Sequence, residues 1–143
     1  MSRWGDPRIA LLLVLAIVLS IAGLWAALQS FAPSPVPPAS VAVTLRIEAN
    51  DWNASYAATS TNNTVLSFLL EAADIRGFEV EHQYWEPLGA SKVDAINGIH
   101  DGSGGLFWQY WVNGIYGDVG ANRYILADGD AVLWRHTIFP PET

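Results

Sequence analysis

The chain has 143 residues, no cysteine and a net charge of −7, with 14 acidic against 7 basic residues. From Val41 onward the imbalance is larger, at five Lys or Arg against thirteen Asp or Glu. This acidity argues against nucleic acid as a partner, because phosphate binding needs clustered Lys and Arg. Without cysteine there are neither disulfides nor thiolate metal sites, so the apolar core must supply the stability of the fold.

Residues 9–28 are predicted to form a single transmembrane helix. The segment, IALLLVLAIVLSIAGLWAAL, carries no charge across 20 positions, and about 20 apolar residues are needed to cross a bilayer. Arg3 and Arg8 precede it and no positive charge follows until Arg46. The positive-inside rule therefore predicts a cytoplasmic tail over residues 1–8 and an extracytoplasmic C-terminal part. The alternative is a cleaved signal peptide, whose apolar region is usually shorter, at about 7–15 residues.

Residues 29–40 are predicted to be a proline-rich linker, and residues 41–139 the extracytoplasmic domain. The segment FAPSPVPPAS at 31–40 has four prolines, which favour a stiff polyproline II spacer over a plain disordered linker. Two glycosylation sequons begin at Asn53 and Asn62. They permit modification only in a host that has the machinery.

The domain begins with a strand, a loop and a helix. VAVTLRIEA at 41–49 alternates apolar and polar residues, which predicts a half-buried strand. The polar stretch 50–63 is predicted to be a loop. TVLSFLLEAADI at 64–75 has helical periodicity, with Asn62 or Asn63 as its N-cap and Gly77 at its end.

Four strand patterns follow the helix: FEVEHQYW at 78–85, SKVDAING at 91–98, LFWQYWVNG at 106–114 and AVLWRHTIF at 131–139. In the first, Phe78, Val80, His82 and Tyr84 are predicted to face inward. One helix among several strands indicates an α+β domain. We expect a β-grasp-like mixed sheet with one packed helix, in which the first and last strands pair centrally, preceded by the N-terminal transmembrane helix.

The aromatic strand at 107–111 contains the candidate ligand-binding residues. Trp108 and Tyr110 face one side of the strand, and Phe107, Gln109 and Trp111 face the other. One face can pack under the helix, which leaves the second face without an obvious cover. The aromatics either complete a small core or form an amphipathic surface for a small molecule or glycan, with Phe107, Trp108 and Trp111 as walls and Gln109 as the polar contact.

Residues that could support catalysis or metal binding do not form a recognisable motif. Asp128-Gly129-Asp130 is typical of a tight turn. The histidines, His82, His100 and His136, lack ligand spacing, and neither a nucleophile elbow nor a phosphate loop occurs. We therefore expect no enzyme activity, no cofactor and no metal.

From Val41 to about Thr137 the chain resembles the transcobalamin-like C-terminal domain family, found in prokaryotic surface proteins and as the smaller domain of transcobalamin and intrinsic factor. The resemblance lies in NTVLSFLLEAA, in LGASKVDAINGI and in FWQYWVNGIYGDVGANRYILADGDAVLWRH. It implies a β-grasp sheet with one helix. In the vertebrate carriers this domain helps to clamp cobalamin against an α/α-barrel, and Phe107, Trp108 and Gln109 match its aromatic run. The barrel has no counterpart here, so we expect weak binding at best.

Two functions remain open at this stage. The first is a membrane-anchored extracytoplasmic module that binds a small molecule, such as a corrinoid (cobalamin-like) ligand. The second is a surface domain that binds another envelope protein without a small-molecule ligand, because an edge strand and exposed aromatics suit that role.

Overall fold

A computed structural model describes residues 7–30 and 39–139 of the chain, and in the first range the side chains of residues 7–21, 23 and 25. The chain divides into two units, residues 1–37 and 38–143, each considered by itself. Most of the predicted cytoplasmic tail (1–6) and of the proline-rich linker (31–38) lies outside the described ranges.

The first unit contains one helix. Helix α1 spans Pro7–Ser30, which confirms the helix predicted over 9–28 and extends it at both ends. Pro7 stands at its first position, where the missing N–H has no helical acceptor. Among helices with described side chains, none combines the length and hydropathy needed for a membrane span.

The second unit is an α+β domain. In chain order its elements are β1 (Val41–Glu48), β2 (Asn53–Ser60), α2 (Val65–Arg76), β3 (Val80–Trp85), β4 (Ala90–Ile96), β5 (Ile99–His100), β6 (Phe107–Val112), β7 (Ile115–Tyr116) and β8 (Ala131–Thr137). The larger sheet is mixed and has the order β2-β1-β8-β6-β7. Its centre is the parallel pair β1 and β8, so the predicted central pairing of the first and last strands is confirmed.

Helix α2 packs its apolar side against this sheet, as the helical pattern predicts. Its N-cap is Thr64 rather than Asn62 or Asn63, because Thr64 Oγ1 accepts from Ser67 N at 3.0 Å. Ser67 Oγ in turn accepts from Thr64 N at 3.0 Å, which completes a capping box. Gly77 ends the helix in the left-handed conformation, as predicted. The buried core residues are Val43, Leu45, Ile47, Val65, Leu66, Phe68, Leu69, Ala72, Val93, Ile96, Trp108, Tyr110, Val112, Ala121, Leu126, Val132 and Trp134.

Strand β2 occupies most of the stretch that the sequence predicts as a loop, so that prediction is wrong. Every residue of Asn53–Ser60 has a partner on β1. The composition NASYAATS is polar enough to suggest a loop, but its alternate residues, Ala54, Tyr56 and Ala58, pack against the core. The pairing with β1 therefore overrides the weak intrinsic preference of the segment.

A second, antiparallel sheet has the order β3-β4-β5, and the sequence did not indicate that the strands would form two sheets. The prediction that His82 and Tyr84 face inward is wrong, since both are exposed. Strand β3 is an edge strand, and its pairing with β4 shifts register between Glu81 and His82. The shift breaks the simple alternation on which the prediction relied.

Both predicted Asn-Gly turns are present. Asn97 and Gly98 have φ of 50° and 74°, and Asn113 and Gly114 have φ of 52° and 80°, as two-residue hairpin turns require. The Asp-Gly-Asp segment is also a turn: Asp130 Oδ2 accepts from Ala127 N at 2.8 Å. Asp128 Oδ1 accepts from Ala42 N at 2.8 Å and Asp130 Oδ1 from Asn113 Nδ2 at 2.8 Å, so both carboxylates form hydrogen bonds within the fold.

Candidate functional site

Strand β6 turns one side into the core, as predicted. Trp108 is only 6% exposed; its Nε1 donates to the carbonyl of Ile99 at 2.7 Å, and its ring lies 5.0 Å from that of His136. The Tyr110 hydroxyl donates to the carbonyl of Val119 at 2.7 Å. Burial raises the pKa of Tyr110 to about 12, with a further contribution from Asp118. These side chains satisfy their polar atoms within the protein.

Gln109 is buried, although we predicted it as a polar contact for a ligand. Its side chain is covered by the C-terminal segment, where Nε2 donates to the carbonyl of Ile138 at 2.8 Å and more weakly to that of Thr137 at 3.4 Å. The opposite atom, Oε1, is buried without a hydrogen-bond partner within residues 7–30 and 39–139. An acceptor left in this state costs free energy that a donor on a ligand would recover.

Trp111 and Phe107 lie on the sheet face opposite helix α2. The Trp111 ring packs edge-on against Tyr116 at 5.7 Å, and the Arg135 guanidinium lies 5.7 Å from the Trp111 ring centroid. Arg135 also donates twice to Glu48 Oε2, at 3.0 and 2.8 Å. Trp111 is therefore held by a cation–π contact that is itself fixed by an ion pair, while Phe107 stays 39% exposed.

A groove of about 240 Å³ opens beside the start of β6. Four aromatic rings and an ion pair surround it: the lining residues are Lys92, Asp101, Phe107, Trp108, Gln109, Tyr116 and Phe139. Three of the four predicted site residues thus meet at one place. The fourth, Trp111, does not line the groove and reaches it only through its contact with Tyr116.

The ion pair at the groove was missed by sequence reasoning. Asp101 Oδ1 accepts from the backbone N–H of Trp108 at 2.6 Å, and Oδ2 lies 2.7 Å from Lys92 Nζ. The Asp101 carboxylate, which accepts from the Lys92 ammonium, raises the pKa of Lys92; partial burial opposes this effect and Asp94, at 3.1 Å, adds to it. In the sequence, Asp101 belongs to an Asp-Gly pair that is typical of a turn. Lys92 has the position of a solvent-facing residue on a strand. No local signal shows that they approach each other, because β5, which pairs with β4 and leads into Asp101, is only two residues long.

A second depression, of about 230 Å³, continues from the groove between β4 and β6. Trp134 lines it, is 98% buried, and has no hydrogen-bond partner for its Nε1 in the described part of the chain. The segment 117–121 forms the opposite wall. A larger depression, of about 490 Å³, lies on the β1–β2 hairpin, but no aromatic side chain lines it.

The described residues contain no group of three His, Cys, Asp or Glu side chains that could hold a metal ion. Of the histidines, His82 and His100 are exposed. His136 is buried, with Nε2 3.2 Å from the carbonyl oxygen of His100. Besides the Trp108 indole, the polar side chains that line the groove are one lysine, one carboxylate, one amide and one phenol, a set that suits hydrogen bonding to an organic molecule better than metal coordination.

Comparison with solved structures supports the transcobalamin-like relationship at the level of fold. A "putative metal binding protein" from Ruminococcus gnavus ATCC 29149 is 16% identical with a TM-score of 0.54, over 66% of this chain and 94% of the other. Haptocorrin in complex with Cbi (cobinamide) is 18% identical with a TM-score of 0.52, over 73% of this chain. The match spans only 27% of haptocorrin.

Comparison of the sequence gives the family. No curated protein matches the chain. Residues 62–137, from the turn before α2 to the end of β8 and including every residue of the groove except Phe139, match the model of the domain of unknown function DUF4430. More than half of the chain is covered, and the chain therefore belongs to the DUF4430 family.

Proposed function

We propose that the protein is a membrane-anchored, extracytoplasmic module that binds a small organic molecule in the groove beside β6. The observation that carries the proposal is the convergence of the Phe107 and Tyr116 rings with the Lys92–Asp101 pair around one opening. Apolar walls with a few fixed polar groups are typical of small-molecule sites. Gln109 also lines the groove, and its buried Oε1 has no hydrogen-bond partner among the described residues.

The size of the groove limits how a ligand binds. At about 240 Å³ it is smaller than the roughly 300–1,000 Å³ of sites that enclose a drug-sized molecule. A larger flat ligand, such as a corrinoid, would place one edge or side group in the groove and leave the rest exposed. This domain is similar in fold to 27% of the haptocorrin chain, and haptocorrin binds Cbi, which supports testing corrinoids first. We expect weak affinity, since one-sided contact buries little of the ligand.

Calorimetric titration with cobinamide and cobalamin tests the proposal. Binding by the wild type should weaken at least tenfold in Phe107→Ala and Tyr116→Ala, which remove the exposed walls. Tyr84→Ala is the matched control, because Tyr84 is an exposed aromatic on β3 that does not line the groove. Absence of heat up to millimolar ligand excludes corrinoids, and equal loss in all three variants excludes this groove.

The anchoring part of the proposal rests on residues 9–28. The segment is uncharged and belongs to a helix of 24 residues, whose length is about 36 Å at the usual rise per residue. The chain has no cysteine, so Ser2→Cys and Ser40→Cys give clean labelling sites. An impermeant maleimide should label Ser40→Cys in intact cells and Ser2→Cys only after permeabilisation. Recovery of the chain in the soluble fraction would contradict the anchor.

The alternative function is binding of an envelope protein through the same side of the domain. It is favoured by three exposed apolar side chains: Phe139, which lines the groove, and Ile115 and Ile138, which directly adjoin the lining residues Tyr116 and Phe139 in the sequence. Pull-down from membranes with the wild type and with Trp111→Ala distinguishes this function. A partner lost without unfolding favours protein binding, and an unchanged set of partners together with corrinoid binding favours the small-molecule site. In both cases we propose recognition rather than catalysis.

A further inference from the structure

Strand β2 is a sheet edge without the features that usually prevent pairing with another strand, whereas the other edge strands have such features. Natural proteins guard edge strands with short length, charge, proline or a bulge. Among the described residues, β7 and β5 are two residues long, and β3 carries Glu81 beside an irregular register. Strand β2 has eight residues, NASYAATS, with no charge and no proline, and its pairing with β1 shows no irregularity.

The hydrogen-bond pattern shows which backbone groups of β2 face outward. Ala49 N donates to Trp52 O at 2.9 Å, so the even-numbered residues of β2 bond to β1 in this register. On the other side of β1, Thr44 N donates to Asp130 O at 3.0 Å, which gives the same alternation. The N–H and C=O groups that point away from the sheet therefore belong to Asn53, Ser55, Ala57 and Thr59.

We propose that β2 pairs antiparallel with β2 of a second copy of this chain, so that the larger sheets of the two copies become continuous. In the register that pairs every outward group, Ser55 lies opposite the second copy's Ala57, and Asn53 lies opposite its Thr59. The arrangement is two-fold symmetric, so both copies use the same surface. This proposal is independent of the ligand-binding proposal.

Charge and shape favour a second copy as the occupant of this edge. The chain carries a net charge of −7, yet self-pairing of β2 brings no charged side chain opposite another, because the strand has none. The outward-facing side chains are small and leave room for a neighbouring strand. Tyr56 lies on the two-fold axis opposite the second copy's Tyr56, where aromatic cross-strand pairs are favourable.

Register-specific cross-linking tests the proposal on the full chain in detergent solution. Directly opposed hydrogen-bonded residues have Cα atoms about 5.5 Å apart, within the range of about 4.4–6.8 Å that a disulfide bridges. Under mild oxidation, a mixture of Ser55→Cys and Ala57→Cys should give at least fivefold more dimer than either variant alone. Ala131→Cys is the control, because Ala131 is exposed on the same sheet but lies on the central strand β8.

Two blocking variants complete the test. Thr59→Pro removes an outward N–H that is not bonded to β1, and Thr59→Lys keeps that N–H but adds a charge. Placed in both cysteine chains, each should reduce cross-linking at least fivefold without lowering the melting temperature. Cross-linking at the level of the Ala131→Cys control overturns the proposal, as does cross-linking that neither Thr59 variant reduces. Stronger cross-linking of Ala57→Cys with itself overturns the register.

Discussion

Gly117 lies directly against the ring of Tyr110. A Cβ atom placed on Gly117 would stand 2.1 Å from the Cε2 and Cζ atoms of that ring, while Gly117 N donates to the Tyr110 carbonyl at 2.9 Å. The ring is itself fixed by its hydrogen bond to Val119. The segment 117–121, which forms one wall of the depression between β4 and β6, can therefore approach β6 only because residue 117 has no side chain.

Gly117→Ala should destabilise the domain, because either the Tyr110 ring or the segment 117–121 must move. Overpacking of this kind typically costs about 1–3 kcal/mol. Urea unfolding followed by tryptophan fluorescence measures the change. Asp118→Ala, an exposed neighbour in the same loop, is the control and should stay within roughly 0.5 kcal/mol of the wild type. Equal stability of Gly117→Ala and the control would contradict this close packing.

Glu71 should make the stability depend on pH in the acid range. Burial by itself raises the pKa of Glu71, but hydrogen bonds from Ser60, Asn62 and Tyr56 outweigh it and lower the pKa below the ordinary value of 4.5. A carboxylate with a lowered folded pKa stabilises the fold above the unfolded pKa, and this stability is lost as pH falls through the folded value. The melting temperature should therefore fall as the pH is lowered below about 4.5.

Glu71→Gln is the matched variant for that prediction. It keeps the shape of the side chain but loses the charge-assisted bonds, so it should be less stable at pH 7 by about 0.5–1 kcal/mol, because Glu71 is partly exposed and solvent screens its charge. The difference from the wild type should shrink as pH falls, since the wild-type carboxylate then also becomes neutral. A constant difference between pH 7 and pH 3 would mean that Glu71 is not the group responsible.

Tyr110 should ionise well after an ordinary tyrosine. Its folded pKa of about 12 exceeds the ordinary value of 10.0, so its contribution to stability is complete below pH 10 and is lost as pH rises towards 12. Absorbance titration near 295 nm should show a late step that is absent in Tyr110→Phe. A full set of tyrosines ionising near pH 10 in the folded protein would contradict the buried, hydrogen-bonded phenol.

Gln109→Leu should release the C-terminal segment from the sheet. The substitution preserves bulk but removes the bonds from Nε2 to the carbonyls of Thr137 and Ile138. Amide hydrogen exchange at residues 137–139 should accelerate at least tenfold, while α2 stays protected. Gln109→Glu should be worse than Leu, because it sets a carboxylate against carbonyl oxygens. Unchanged exchange in both variants would show that the segment is held by other contacts.

The sequence predicted those elements whose signals are local. Helix α2, strand β6 and both Asn-Gly turns depend on periodicity or on a pair of adjacent residues, and all are present. The prediction for residues 53–60 was wrong because Ala, Ser, Thr and Asn suit a loop as well as an edge strand. Only its pairing with β1, formed on folding, decides between the two.

The candidate site was predictable only where it depends on local sequence pattern, and not where it depends on contacts between distant segments. The strand pattern put Phe107 on the face of β6 without an obvious cover, and the structure places it in the groove wall. Gln109 was expected to be accessible, because nothing in β6 reveals that residues 137–139 cross over it. Lys92 and Asp101 come from β4 and from the turn after β5, so their contact depends on the pairing of β4 with β5, a strand of two residues that was not predicted from the sequence.

The central pairing of β1 with β8 has a consequence for biosynthesis. Strand β1 cannot pair with β8 until β8, some ninety residues later along the chain, has been synthesised. This pair forms the middle of the sheet rather than its edge. Helix α2 therefore cannot pack against the complete sheet before β8 has been synthesised. Folding of the domain should therefore finish only after β8 has been synthesised, and a chain that stops before β8 should be cleared as an unfolded fragment.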